Sequence, residues 1–383
     1  IAGGVNAQAA GEKAIAVGAD ATASGGAAIA IGKSSAIDSY GTKGIVLGSD
    51  NNITNTAGGI LLGNDSSIVG TVLGGPVGNS SQYSVLIGTQ SHITDSYNAV
   101  SIGITSNISQ SNSSVVIGNH TTATNSHQGI VIGESSTVKN AQFGIAIGTS
   151  SEVSGQSGIA IGLGANASGE KSISIGTGNE VKGNKSSAIG DPSYIDTTAT
   201  GTHVQGNDNG TATIPIKASE STFMGNTNLA GTAGTTGIHV VGNNNSVDSS
   251  NVMVMGNGVT VGTGLDGAVV LGNASSADQY AAATDSTING VTFEAAGYAG
   301  NTGLNNGSIV SVGATSAERQ IKNVAAGAVT ATSTDAVNGS QLYKTAETIL
   351  KMPINMAGDS GDTVGLKLGK TVNIKGSVAS GAD

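Results

Sequence analysis

Short apolar segments that end in glycine recur along this chain about once every fifteen residues. Residues 28–32, for example, read AIAIG, and a second apolar residue, Ile37, follows five positions after Gly32. The residues between such positions are mainly Ser, Asn, Thr, Asp and Gly, which favour turns. A fixed period of this kind is typical of repeat architectures. Each unit is therefore predicted to form two short strands and two turns, one coil of a parallel β-solenoid.

The closing glycines keep a nearly constant spacing, with steps of fifteen residues from Gly88 to Gly148 and of fourteen from there to Gly190. We expect each glycine to stand at a corner that needs positive φ or a close backbone approach. About eighteen coils, ~4.8 Å apart, would extend roughly 85 Å. The glycines to which we assign this structural role are Gly18, Gly32, Gly48, Gly63, Gly88, Gly103, Gly118, Gly133, Gly148, Gly162 and Gly176. Further copies end at Gly74 and Gly190, and weaker copies at Gly206, Gly225, Gly242, Gly256 and Gly272.

Side chains of each apolar segment alternate between two faces. Large aliphatics such as Ile29 and Ile31 stand three and one positions before the glycine, and a smaller residue, here Ala30, stands two before it. We expect the large aliphatics to fill the interior, opposite the residue five after the glycine, and the smaller face to meet another chain. An uncovered apolar face would form a long exposed stripe, so we predict that identical chains cover it around a threefold axis.

The composition supports a thin, elongated core. Of 383 residues, 61 are glycine, aromatics make up 3% and charged residues 10%, against a usual charged share of about 25%. The net charge of −10 and the lack of a basic stripe argue against nucleic-acid binding. There is no cysteine, which fits an extracellular bacterial protein, and no apolar run long enough for a membrane-spanning helix. Because the chain begins at Ile1 without a signal sequence, we expect it to be a segment of a longer protein.

The repeat and the segment downstream of it resemble the head and neck of trimeric autotransporter adhesins of the YadA type. Residues 28–32, 144–148 and 158–162 carry the repeat core of that family, and residues 318–327 (ERQIKNVAAG) and 333–343 (STDAVNGSQLY) are similar to its neck. The resemblance implies an all-β fold, a homotrimeric left-handed parallel β-roll solenoid followed by a neck, a short trimeric coiled coil and the start of a further β module. The neck residues that carry the similarity are Arg319, Ile321, Asn323, Val324, Asp335, Ala336, Val337, Asn338, Gln341 and Leu342.

In the neck, Asp335 or Thr334 is predicted to cap the helix that follows, and Pro353 to end it. Core positions of a short three-stranded coil are predicted at Leu342, Ala346 and Ile349. The predicted domains are a head roll over 1–273 that is irregular at 191–224, a connector over 274–317, the neck over 318–343, the coiled coil over 344–352 and the β module over 353–383.

No catalytic constellation is evident, and we predict that the chain is not an enzyme and has no catalytic, cofactor-binding or metal-binding residues. The spacing of Gly162, Gly164 and Ala167 resembles a dinucleotide fingerprint, but no helical pattern follows it. His203 and His239 replace strand aliphatics. Three copies of one histidine could gather around an ion on a trimer axis, although ordinary packed or hydrogen-bonded histidines are the simpler interpretation.

The leading hypothesis is a surface adhesin of a Gram-negative-type bacterium that attaches to host cells, extracellular matrix or other bacteria through multivalent binding. The resemblance implies a host cell-surface receptor or a matrix protein as partner, and an outer-membrane anchor outside this segment. Candidate binding surfaces are the outer turns and the stretches 191–224 and 274–308. Two alternatives are a trimeric β-solenoid spike that acts on carbohydrate and a purely architectural spacer.

Overall fold

The computed structural model describes residues 1–71, 81–356, 363–371 and 373. The chain divides into two units, one formed by residues 1–280 and 305–318 and the other by residues 281–304 and 319–383. The first unit is a parallel β-solenoid with two long sheets, and a regular coil contributes one strand to each of them. The predicted all-β solenoid is therefore confirmed.

One sheet of the solenoid, called sheet A here, contains the strands that precede the repeat glycines. Successive strands pair in parallel at equivalent repeat positions, so that Ile130 lies beside Ile145 and Ile132 beside Ile147. In the described ranges its nineteen strands are Ala2–Gly3, Ile15–Val17, Ile29–Ile31, Ile45–Leu47, Ile60–Asn64, Val85–Thr89, Val100–Ile104, Val115–Ile117, Ile130–Ile132, Ile145–Ile147, Ile159–Ile161, Ile173–Gly176, Ser187–Gly190, His203–Gln205, Thr222–Met224, His239–Val241, Met253–Met255, Val269–Leu271 and Val310–Ser311.

The other sheet, called sheet B, contains the second strand of each coil. It places the predicted apolar residue five after the glycine in the middle or at the end of a short strand, as with Ile108 and Ala123, which pair in register. Its strands in the described ranges are Gln8–Ala9, Thr22–Ala23, Ala36–Ile37, Asn52–Thr54, Ser67–Val69, His92–Thr94, Asn107–Ser109, Thr122–Thr124, Thr137–Lys139, Glu152–Val153, Asn166–Ala167, Glu180–Val181 and Tyr194–Ile195, with a separate parallel pair at Ser246–Val247 and Thr260–Val261.

The interior is filled by the residues two positions before each glycine, at the centre of the sheet A strands, so the predicted orientation of these strands was wrong. Ala30 has no exposed surface, whereas Ile31 is 39% exposed. Ile37, five after Gly32, is fully buried in the same core cluster, as predicted. A three-residue strand directs one side chain to one face and two to the other. The narrow coil accommodates the single central residue against its sheet B partner, and the two flanking aliphatics point outward.

The solenoid continues through the stretch 191–224 that the sequence marks as irregular. The strands His203–Gln205 and Thr222–Met224 keep their parallel register, and isolated bridges such as that between Ile195 and Ile216 replace sheet B. The predicted repeat copy at Gly74 lies outside the described residues, and the strands on either side of it pair directly, with Gly63 beside Gly88. Length differences between coils are thus absorbed outside the strands.

The last strand of sheet A comes from within the predicted connector. Val310 and Ser311 pair with Val269 and Val270, so residues 305–318 belong to the solenoid unit.

The second unit contains an antiparallel hairpin of Ser286–Ile288 and Val291–Phe293, a 3-10 turn at Ala295–Gly297, the helix Gly339–Lys351 and a second antiparallel hairpin of Pro353–Met356 and Val364–Lys367. The rest of the predicted β module, residues 357–362, 372 and 374–383, lies outside the described residues.

Candidate interaction surface

The outward side of sheet A is an apolar stripe, formed by the residues three and one positions before each repeat glycine from Ile15 to Leu271. Both positions are Ile, Val or Leu in every described strand from Ile15 to Ile175. No sheet A strand in the described ranges contains Asp, Glu, Lys or Arg. A long apolar face without charge is rarely left exposed to solvent and is typical of a contact between chains.

A single chain leaves much of the stripe uncovered. Ile31 and Ile87 are each 39% exposed. Because complete burial of such a side chain is worth about 1.5–3 kcal/mol, covering the exposed part of each would add about 1 kcal/mol. Because this exposure repeats along the solenoid, the small contributions add up over the stripe.

The outward side of sheet B is mainly polar, with Ala36 and Val69 as apolar exceptions. We call this the polar face and define it as the residues four and six positions after each repeat glycine, from Thr22 to Asp196. Thr122 and Thr124 flank the buried Ala123 in this way. Charged side chains also occur, and Lys182 forms an ion pair with Glu180 at 2.9 Å. Such exposed pairs contribute little to stability, so the polar face is suited to contacts with solvent or ligands.

Four successive strands interrupt the apolar stripe at its three-before position. Ser187, His203, Thr222 and His239 occupy it, and each lies beside the next in the parallel register. The Oγ of Ser187 is 2.9 Å from Nδ1 of His203. A shallow pocket beside His203 is lined in part by Gln205, Thr222 and Met224. The two candidate histidines therefore share one column but stand two strands, ~10 Å, apart.

The repeat glycines form a column in which each packs directly on the next. A Cβ added to Gly88 would lie 1.8 Å from the carbonyl oxygen of Gly103. That oxygen is turned into the preceding coil, where Ser91 Oγ donates to it at 3.0 Å. The other predicted glycines make the same approach, with the next carbonyl oxygen 1.6–2.6 Å from the added Cβ at Gly18, Gly32, Gly48, Gly63, Gly103, Gly118, Gly133, Gly148, Gly162 and Gly176.

Polar side chains three positions after the glycines form a buried column that sequence reasoning missed. In three successive coils these are asparagines, namely Asn209, Asn228 and Asn245. Asn228 Nδ2 donates to Oδ1 of Asn209 at 3.0 Å and to the carbonyl of Gly242 at 2.8 Å, and Asn245 repeats the pattern. The column satisfies turn amides and glycine carbonyls that would otherwise be buried without partners.

The helix of the second unit begins at a capping box. Oδ1 of Asn338 accepts from the backbone N–H of Gln341 at 3.2 Å, and Oε1 of Gln341 accepts from the N–H of Asn338 at 3.2 Å. The prediction that Asp335 or Thr334 caps this helix was wrong. Asn338 is the cap because, with Gln341 three positions later, it satisfies both a helix amide and its own backbone amide. The Asp335 carboxylate accepts instead from the N–H of Ala328 at 2.9 Å.

The same two cap residues bind the extended segment before the helix. Nε2 of Gln341 donates to the carbonyl of Gly327 at 2.7 Å, and the Gly327 N–H donates to Oε1 of Gln341 at 3.0 Å. Nδ2 of Asn338 donates to the carbonyl of Val324 at 3.1 Å. Of the predicted neck residues, the structure thus brings together Val324, Asn338 and Gln341. The others are exposed, namely Arg319, Ile321, Asn323, Asp335, Ala336, Val337 and Leu342.

The helix itself has no buried residue in the single chain. Leu342 is 68% and Ile349 48% exposed, so the predicted coiled-coil positions are available for other copies. Hydrogen bonds from Lys344 and Lys351 lower the pKa of Glu347 below its ordinary value. These contacts support the helix along its surface.

Within the described residues of one chain, no three His, Cys, Asp or Glu side chains lie close enough together to bind a metal ion. Nor does any described helix have the length and apolar character needed to cross a membrane. His92 and His127 bind neighbouring coils through Nδ1, with Ser67 Oγ at 2.9 Å and the N–H of Asn112 at 3.1 Å respectively.

Comparison with known proteins points to one family. Residues 320–351 match the model described as the coiled stalk of trimeric autotransporter adhesin. An 81-residue stretch, 21% of this chain, is 41% identical to the autotransporter adhesin BtaE of Brucella suis biovar 1 (strain 1330) and covers 10% of that relative. The C-terminal YadA-like domain of BPSL2063 from Burkholderia pseudomallei is 37% identical, with a TM-score of 0.21, over 28% of this chain and 42% of that one.

The fold and the uncovered stripe define a solenoid repeat protein joined to a capped stalk helix. The family-model match and the curated relative confirm the predicted resemblance to trimeric autotransporter adhesins. That family consists of structural and adhesive proteins rather than enzymes, which agrees with the prediction. The chain spans about a tenth of the length of the curated relative it matches.

Proposed function

We propose that the chain is the head and neck part of a homotrimeric surface adhesin, in which the apolar stripe of each copy is covered by the other two. The stripe is the observation that carries the proposal. It is continuous over the strands from Ile15 to Ile175, it carries no charge in the described ranges, and about 1 kcal/mol per covered side chain accumulates along it. The matching stalk family is described as trimeric, which supports three copies rather than two.

Attachment is assigned to the polar face, which points away from the stripe within each coil. Three copies would present this face three times, so that weak contacts reinforce one another through their high effective concentration. The partners proposed are a host cell-surface receptor, an extracellular-matrix protein or the surface of other bacteria. The chain would act outside the cell, with an outer-membrane anchor outside this segment.

The assembly is tested by matched substitutions in a single coil. Ile102→Asp places a carboxylate on the stripe, where Ile102 is 37% exposed, and three copies would bring three carboxylates together. Asn107→Asp adds the same charge to the polar face of the same coil and serves as the control. Light scattering during a urea titration should show a trimer for all three proteins, and the Ile102→Asp trimer should dissociate at a lower urea concentration than the wild type or Asn107→Asp. A monomeric wild type, or an Ile102→Asp trimer that dissociates at the same urea concentration as Asn107→Asp, would contradict the proposed assembly.

The attachment role is tested separately with the wild-type trimer. Purified protein should bind to cultured host cells, immobilised matrix proteins or bacterial cells in a saturable manner. A stable trimer that binds none of these would favour the architectural spacer. Hydrolysis of a surface polysaccharide by the trimer would favour the carbohydrate-active spike.

A further inference from the structure

We propose that three copies of His203 form a binding site for a divalent transition-metal ion, such as Zn²⁺, inside the trimer. The inference rests on the trimer of the preceding section, because the site is incomplete in one chain. Within the described residues, a single copy brings no three ligating side chains together. The trimer would supply one imidazole from each copy at the same level of the solenoid.

The position of His203 is the first support. It stands on the stripe, where the equivalent residue three before the glycine is Ile173 two coils earlier and Met253 three coils later. The stripe becomes polar only between them, in the strands that begin at Ser187, His203, Thr222 and His239. If the trimer covers this position, an Nε2 atom left without a polar partner destabilises the contact. A ligand that binds all three imidazoles removes that penalty.

The local geometry of His203 is the second support. Its Nδ1 lies 2.9 Å from Oγ of Ser187, so the neutral ring can donate its Nδ1 proton to that hydroxyl and keep the lone pair on Nε2. Among the described residues, Nε2 has no hydrogen-bond partner. Metal-binding histidines characteristically have their other nitrogen held in this way, which fixes the tautomer and the ring orientation.

The chemistry of three imidazoles selects the ion. Three neutral histidine nitrogens at ~2.0–2.1 Å bind Zn²⁺ or Co²⁺ with a fourth position left for water or a small anion. The shallow pocket beside His203, lined in part by Gln205, Thr222 and Met224, leaves space next to the ring. Hard ions such as Ca²⁺ and Mg²⁺ require several oxygen ligands and do not fit this set.

Two other histidines provide matched controls. His92 has the same hydroxyl contact, with Ser67 Oγ 2.9 Å from its Nδ1, but it lies on the polar face, which the trimer does not cover. His239 lies on the stripe two strands from His203, but its ring has no hydrogen-bond partner among the described residues. The proposal therefore predicts that only the combination of stripe position and ring support gives a strong site.

The experiment uses the untagged full chain, treated with chelator and shown by light scattering to be trimeric. Co²⁺ is titrated and its visible absorption recorded, and Zn²⁺ binding is measured by calorimetry. We expect one ion per three chains and a tetrahedral Co²⁺ spectrum. His203→Ala should weaken binding at least about 100-fold, Ser187→Ala about 10–100-fold, and His92→Ala and His239→Ala by less than about 10-fold.

The outcomes separate the two proposals. A trimer that binds no ion, or that binds equally well after His203→Ala, overturns the metal site and leaves the trimer intact. A chain that is not trimeric contradicts the assembly itself. If His203→Ala alters the oligomeric state, Ser187→Ala decides, because it keeps the imidazole and removes only its support. Unchanged affinity in that variant would then count against the proposed geometry.

Discussion

Replacement of Gly88 by alanine tests whether the glycine column sets how closely the coils stack. The added Cβ would lie 1.8 Å from the carbonyl oxygen of Gly103 and 2.9 Å from its carbonyl carbon. The oxygen cannot move away freely, because Ser91 Oγ donates to it at 3.0 Å. Overpacking typically costs about 1–3 kcal/mol and loss of a hydrogen bond about 0.5–1.5 kcal/mol. We expect Gly88→Ala to lower the free energy of unfolding by about 2–4 kcal/mol per chain.

Two further glycines serve as comparisons for Gly88, one without the close contact and one with additional backbone strain. Gly26 lies in a turn with no atom within 4 Å of its added Cβ, so Gly26→Ala should change stability by less than about 0.5 kcal/mol. Gly118 combines a contact of 1.7 Å to the Gly133 oxygen with φ of +140°. Backbone strain of about 1–3 kcal/mol should then make Gly118→Ala the least stable of the three.

The assay is urea unfolding followed by circular dichroism, with limited proteolysis to locate the opened coil. In a solenoid each coil contacts only its neighbours, so cleavage in the Gly88→Ala protein should begin near the substituted coil. Equal unfolding midpoints for Gly88→Ala and Gly26→Ala would refute the reasoning.

Two other predictions concern asparagines whose side chains hydrogen-bond to the backbone, one in the buried column and one at the helix cap. Asn228→Leu removes the amide that joins Asn209 to the next coil and leaves buried polar groups without a partner. It should therefore cost about 1–3 kcal/mol in urea unfolding, and an unchanged midpoint would count against the buried column. Asn338→Ala removes the capping box with Gln341 and should cost about 1 kcal/mol, seen as lower helix content on heating, whereas an unaltered melting curve would show that the cap is dispensable.

The period of the sequence was enough to predict the solenoid, because the glycines and the apolar residues five positions after them recur at fixed offsets. The orientation of the sheet A strands was not predictable in the same way. Ile29, Ala30 and Ile31 are all apolar, so alternation gives two faces without saying which is inside. Side-chain size suggested the wrong one. In the structure the central residue Ala30 is buried together with Ile37, whereas Ile31 is 39% exposed.

The buried polar column left a signal in the sequence that was interpreted only as turn composition. Ser91 and Asn228 both stand three positions after a repeat glycine, and a small polar residue at that offset recurs from coil to coil. The capping box also has a sequence signal, because Gln341 stands three positions after Asn338. Ser187 and His203 both stand three positions before a repeat glycine, so the repeat places them side by side. The hydroxyl contact of His203 depends in addition on the side-chain rotamers, which the sequence does not specify.

The constant register of the strands has a consequence for how such a chain changes over generations. Steps between the glycines of neighbouring strands range from 14 residues, between Gly242 and Gly256, to 25, between Gly63 and Gly88, yet these strands stay aligned. Every closing glycine is thus an equivalent splice position. Unequal recombination between two such positions would add or delete whole coils and keep the cross-section of the solenoid. The length of the solenoid can therefore change by one coil at a time during evolution without a change of fold.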